Sequence, residues 1–254
     1  VDHAAKRKLN QPDQFVALTG EGVQWAGTHR RTVITWSIAV IVVILALTGG
    51  ISLYQHRSTA AATEFGAAML TYQTPLVSAA QAVPPGMKTF PDAKARATAA
   101  NAQFLAVAHQ YGMTNPGKLA QYFAGLTYAE EGQNGPAEDT LKQVSSSWNS
   151  GLAALGKMAL AQLYQQTNRD SQAIELYNAL TKTDSATVPA GTAQLQLADL
   201  YQSEGKTEMA RKIYADLKDK GKDAKGKPSA ASEIASEKLN PKAASAPGGA
   251  PQLQ

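Results

Sequence analysis

LAQLYQQTNRDSQAIELYNAL, residues 160–180, is a pattern the chain repeats on either side of itself. It sets a tyrosine at Tyr164, a small residue nine positions later at Ala173 and a large side chain four beyond that at Tyr177, with Asn168 in the turn-forming stretch between them. The same marks stand upstream at Tyr128, Ala137 and Leu141, and downstream at Tyr201, Ala210 and Tyr214. The period is about 36 residues, which predicts an all-α chain of stacked helical hairpins. One hairpin cannot bury its own apolar face, so each unit is stable only against its neighbours.

Within that frame the helices run from Pro116 to Glu131 and Pro136 to Ser147, from Leu152 to Thr167 and Asp170 to Thr181, and from Ala190 to Ser203 and Thr207 to Lys218. Gly132-Gln133-Asn134-Gly135, Asn168-Arg169 and Glu204-Gly205-Lys206 are the turns, because glycine and asparagine tolerate the left-handed backbone that ends a helix. Ala137, Ala173 and Ala210 are small where the two helices of a pair cross, and Tyr128, Tyr164 and Tyr201 fill the space between pairs.

Upstream, Ala60 to Val83 reads as a helix carrying Phe65, Met69, Tyr72 and Leu76, with Pro75 as a kink or an early end and Pro84-Pro85-Gly86 as its close. Asp92 to Tyr111 follows, and its Ala100, Phe104 and Val107 reproduce the spacing of the later second helices, so these two helices form a degenerate first unit. The repeat domain therefore spans 60–218. Residues 219–227 are a charged, glycine-containing linker. Pro228-Ser229 opens a short helix to Leu239, with Ile234, Ala235 and Leu239 on one face, suited to covering the open end of the stack. The Pro-, Ala- and Gly-rich residues 240–254 read as a disordered tail.

From Val33 to Leu53 no charged residue interrupts the apolar run, which as a helix spans roughly 30 Å, the thickness of a bilayer core. A cleaved signal peptide is the competing reading, since Ser58 to Thr63 holds small residues of the cleavage-site type. The run exceeds the roughly 7–15 residues of a signal's apolar region, and the flank before it is longer than an ordinary basic leader, so it reads as a membrane anchor. Lys6, Arg7, Lys8, Arg30 and Arg31 precede it and only Arg57 follows closely, a bias that keeps the N-terminal side in the cytoplasm. Trp36 and Tyr54 sit near its two ends, where amphipathic rings favour the interface. Residues 1–32 then form a cytoplasmic segment in which Asp13 caps a weak helix with Phe15, Val16, Leu18, Val23 and Trp25, lying along the headgroups.

The 254 residues contain no cysteine, which excludes disulfides and thiolate metal sites but indicates no compartment. The formal net charge is +4, yet the basic residues sit mostly at the flanks of the folded region rather than on one face, so no nucleic-acid surface is expected. His3, His29, His56 and His109 have no metal-ligand spacing, and no cofactor site is expected. Ser203 and Lys206 fit a serine-x-x-lysine pattern, and Gly205-Lys206-Thr207 echoes the end of a phosphate loop. Leu200 stands where that loop needs its first glycine, and both fragments fall in an inter-helix turn. No catalytic residues are assigned and the chain reads as non-enzymatic.

The pattern of Leu160, Ala161, Tyr164, Asn168, Ala173, Tyr177 and Leu180 resembles the tetratricopeptide repeat. It is matched by Leu197, Ala198, Tyr201, Gly205, Ala210, Tyr214 and Leu217, and by Ala124, Gly125, Tyr128, Gly132, Ala137, Leu141 and Val144. The family's early tryptophan is replaced by Lys157 and Gln194, and its closing proline by Asn149 and Ser185. The resemblance implies a concave surface lined by the first helix of each pair. Counting from the tyrosines puts Tyr122, Leu126, Met158, Gln162, Gln165, Leu195, Asp199 and Gln202 there. That apolar, glutamine-rich groove suits an extended or helical protein segment better than an anionic tail.

The whole layout also resembles the bacterial ancillary subunit of the Sec translocon. This likeness implies a single-pass protein of the bacterial inner membrane with its repeats in the periplasm. Its partners would be translocon subunits, a membrane-anchored periplasmic folding factor or exported chains. A coordinator of envelope assembly or cell division is the alternative that the same repeats permit.

Overall fold

A computed structural model describes residues 29–77, 86–183, 185–221 and 226–240. Among them are nine helices: α1 (Arg30–Tyr72), α2 (Ala93–Tyr111), α3 (Asn115–Glu130), α4 (Asn134–Ser145), α5 (Ser150–Gln166), α6 (Asp170–Thr181), α7 (Ala190–Ser203), α8 (Thr207–Lys220) and α9 (Ala230–Leu239). The helix expected near Asp13, the Pro84-Pro85 pair, the central part of the linker and the tail from 241 onward lie outside the described residues. The chain divides into two compact units with the boundary between His56 and Arg57, so α1 contributes residues to both.

In the first unit the apolar run is helical and its described side chains face solvent. Its two threonine hydroxyls are satisfied inside the helix: Thr35 donates to the Arg31 carbonyl at 2.7 Å and Thr48 to that of Ile44 at 2.9 Å. The sequence reading separated this run from a helix beginning at Ala60, whereas the structure joins them as one helix. No glycine or proline stands between Ile51 and Gly66, so nothing in the backbone chemistry stops propagation. The helix ends at Tyr72 rather than Val83. Pro75 lacks an N–H, and residues 75–77 instead pair with Phe90, whose N–H donates to the Pro75 carbonyl at 3.1 Å while Val77 donates to the Phe90 carbonyl at 3.0 Å.

In the second unit, four second helices share one register. Ala100, Phe104 and Val107 of α2 correspond to Ala137, Leu141 and Val144 of α4, to Ala173, Tyr177 and Leu180 of α6, and to Ala210, Tyr214 and Leu217 of α8, and all are buried. Spacing of i, i+4 and i+7 puts three side chains on one stripe, which each hairpin turns inward. The core forms three clusters along the stack. The first joins α1, α2 and α3 around Phe104, whose ring stacks on Phe123 at 5.3 Å and meets Phe65 at 5.8 Å. The second spans α4 to α7 around Tyr177, and the third joins α7, α8 and α9 around Tyr214. Tyr201 packs against both the second and the third, filling the space between units as its position predicts.

The three predicted turns are alike in detail. Gly132 (φ 78°), Asn168 (φ 57°) and Gly205 (φ 77°) are left-handed. One residue further, the N–H groups of Gln133, Arg169 and Lys206 donate to the carbonyls of Tyr128, Tyr164 and Tyr201, each at 2.8 Å. This is the Schellman closure, and the tyrosine that sets the repeat is also the residue whose carbonyl closes it. The closing residue is also the cap position of the next helix, and Gln133, Arg169 and Lys206 make no side-chain cap there, so α4, α6 and α8 begin without one. Among the first helices, α3 and α5 carry caps, Thr114 and Asn149, whereas α7 follows Pro189 without one. Ser229 caps α9, whose Ala235 is buried in the third cluster. Helix α9 thus occupies the place that a further first helix would take and closes the stack.

Candidate functional site

The first helices α3, α5 and α7 carry the eight predicted groove residues, and the structure sorts seven of them into three groups and sets Leu195 apart. Tyr122, Leu126 and Met158 are partly exposed and rest on the second core cluster, forming an apolar strip. Tyr122 also meets the Phe123 ring edge-on at 5.4 Å, and burial pushes its phenol pKa up. Gln162 and Gln202 are exposed.

Gln165 and Asp199 are half-buried and engaged as acceptors. Gln165 accepts from the Tyr177 hydroxyl at 2.6 Å. Asp199 accepts from the Tyr214 hydroxyl at 2.6 Å and from Lys238 of α9 at 2.8 Å. Burial raises the pKa of Tyr214, reinforced by its hydrogen bond to Asp199, so the phenol stays a donor at any physiological pH. Leu195 stands apart: it is 7% exposed and packs in the third cluster with Tyr214 and Ala235. Spacing along α7 gives Leu195 the position of Met158, but α9 packs over that end of the stack and makes it core. The groove surface therefore runs over α3 and α5, and on α7 it narrows to a polar margin.

At the turn between α5 and α6 the units are linked by charge. Glu138 of α4 accepts from Lys142 at 2.7 Å, from Arg169 at 2.8 Å and from the Tyr164 hydroxyl at 3.1 Å, while the Arg169 guanidinium lies 4.3 Å from the centre of the Tyr164 ring. The hydrogen bond from Arg169, then that from Lys142, holds the Glu138 carboxyl at a pKa of about 2. Folding lowers this pKa, so the contribution is full above the ordinary carboxylate range and is lost as pH falls through about 2. Glu138→Gln is expected to cost about 1–2 kcal/mol at neutral pH. In urea titrations its gap from the parent protein should close as pH falls from the ordinary carboxylate range toward about 2. A gap independent of pH would mean that the network contributes through packing alone.

The fragments weighed as chemistry are occupied by the turn. Ser203 donates to the Leu200 carbonyl at 2.8 Å, and Lys206 pairs with Glu204 at 3.1 Å beside the Tyr201 ring. Among the described residues no group of three or more His, Cys, Asp or Glu side chains is placed to hold a metal ion.

Sequence reasoning did not reach a cleft of about 620 Å³ between the Arg57–Tyr72 part of α1 and α2, lined by Ala67, Leu70, Thr71, Gln103 and Val107 together with Glu64 and Lys88. Nor did it single out Met113 and Trp148, which lie in helix connections and are 89% and 90% exposed. The signal available was residue type alone, large apolar side chains in turns.

The profile of the tetratricopeptide repeat-like domain family matches residues 30–241. No curated protein and no solved structure matches the chain. Domains of this family generally mediate protein–protein interactions and are typically non-catalytic scaffolds.

Proposed function

The chain belongs to the tetratricopeptide repeat-like family, and from that premise we propose that it is a membrane-tethered, non-enzymatic adaptor. It would hold protein partners against the apolar strip of α3 and α5 at the periplasmic face of the bacterial inner membrane. The observation that carries this reading is the strip itself. Tyr122, Leu126 and Met158 remain partly open on successive first helices after the hairpins have packed, with the amide of Gln162 exposed beside them. Apolar area flanked by amide groups suits a segment that buries side chains and completes backbone hydrogen bonds.

The tether is supported by α1, the one helix among the described residues long and apolar enough to cross a bilayer. Further support comes from its internally bonded threonines and from the basic residues before it. A tethered adaptor needs little affinity, because confinement to the membrane raises the effective concentration of membrane-bound partners. Partners at the Sec translocon, a membrane-anchored folding factor or emerging exported chains fit the layout of basic segment, apolar helix and repeats.

In-cell photocrosslinking from probes at Met158 and Gln162 tests this reading, with adducts identified by mass spectrometry. Translocon subunits or a folding factor are expected, whereas cell-wall synthesis proteins alone would favour the envelope-assembly coordinator. Met158→Glu combined with Gln162→Glu is expected to abolish those adducts when probes are placed at Tyr122, with thermal unfolding little changed, since neither side chain is core. Leu195 is unsuitable for such a test because its replacement would unfold the third cluster. Undiminished capture by a folded double variant would move the binding surface elsewhere.

A further inference from the structure

One edge of the repeat unit carries exposed side chains that no packing within the unit explains. Arg57, where the chain enters this unit from the apolar run, donates to the Gln110 carbonyl at 2.6 Å, so it lies at the α2–α3 connection that holds Met113. The start of α3 adjoins the end of α4, since Gln121 donates to Gln143 at 2.7 Å, which brings the α4–α5 connection to the same edge. There Lys118 lies 4.9 Å from the centre of the Trp148 ring. The α6–α7 connection joins them, with Thr187 donating to the Gly151 carbonyl at 2.8 Å. The opposite edge holds the tight turns and is rich in carboxylates, among them Glu130, Glu131 and Glu138.

We infer that this edge, through Trp148, Met113 and Lys118, docks on the headgroup layer of the membrane that the apolar run crosses. The inference rests on the tether reading above. An indole left 90% exposed next to a lysine, with a methionine 89% exposed at the adjoining connection, has the chemistry of the bilayer interface. There an aromatic ring sits among glycerol groups and an ammonium meets anionic phosphates. Only three residues separate the end of the apolar run at Leu53 from Arg57, so the covalent connection alone ties this edge to that layer. Docking there would leave the groove of α3 and α5 open to partners at a constrained height above the lipid.

The chain has no cysteine, so single cysteines placed in the full-length protein each take one spin label. Val43→Cys reports the tether, Asn115→Cys, beside Met113 but outside the docking set, the proposed edge and Gln133→Cys the opposite edge. In nanodiscs of phosphatidylethanolamine and phosphatidylglycerol, collision with oxygen is compared with collision with a water-soluble nickel chelate. The Asn115 label is expected to be shielded from nickel several-fold relative to the Gln133 label. Trp148→Ser with Lys118→Ser should remove that shielding. Loss of the one basic residue alone should weaken docking about fivefold. An Asn115 label as open to nickel as the Gln133 label, in discs where the Val43 label lies in lipid, would overturn the docking and leave the tether intact. A Val43 label that meets nickel freely would overturn the tether and the docking together.

Discussion

Gly156→Val is expected to destabilise the repeat unit by about 3 kcal/mol, at the upper end of the range for overpacking. A Cβ at Gly156 would stand 2.6 Å from the Ser145 nitrogen and 2.9 Å from the Val144 carbonyl carbon, both backbone atoms of the preceding second helix. A flexible side chain could turn aside, but backbone cannot. The only relief is for α4 and α5 to separate, and that opens the second cluster, where Leu141 and Tyr177 are almost fully buried. Gly125→Ala makes the internal comparison, because the nearest atoms to the Cβ there belong to side chains, Leu141 at 2.7 Å and Thr140 at 3.5 Å. It should cost less, as a leucine can change rotamer. The check is urea unfolding of both variants: equal costs would mean that the α4–α5 contact yields as easily as a side chain.

Phe104→Ala should cost about 3–5 kcal/mol, the largest effect expected from any single truncation in the first cluster. Phe104 is fully buried and its ring is in contact with Phe65, Tyr72 and Phe123, so its loss leaves a cavity walled by three helices. The consequence goes beyond the total. Stacked repeats are coupled only to their neighbours, and the first cluster shares no buried residue with the second. The variant should therefore lose hydrogen-exchange protection in α2 and α3 while α6 to α8 keep theirs, and its thermal transition should broaden or divide. A uniform loss of protection across all helices would show that the units fold as one cooperative block.

How far the sequence was legible follows from the range of the forces involved. Helix positions within a hairpin, the left-handed turn residues and the buried stripe at Ala173, Tyr177 and Leu180 are set by interactions within one repeat or between adjacent ones. A window of a few adjacent repeats therefore contains their cause. Ser229 as the cap of the last helix was legible for the same reason. The candidate groove was only partly legible. Met158 and Leu195 occupy equivalent places in the repeat, and nothing local distinguishes a strip on α5 from a core position on α7.

By itself the sequence determined the repeat, its period, the turns and the four buried stripes, because each depends on residues close together in the chain and on backbone conformations that few side chains permit. The tertiary structure alone decided three further matters. The apolar run continues into the first repeat helix because no breaker intervenes. Leu195 is core because α9 packs on the end of the stack, and its Lys238 pairs with Asp199. Arg57, Met113, Lys118 and Trp148, spread over 92 positions of sequence, share one edge because antiparallel hairpins return their connections to the same side. Burial and proximity of this kind are properties of the packed stack, and no window of sequence shorter than the stack contains their cause.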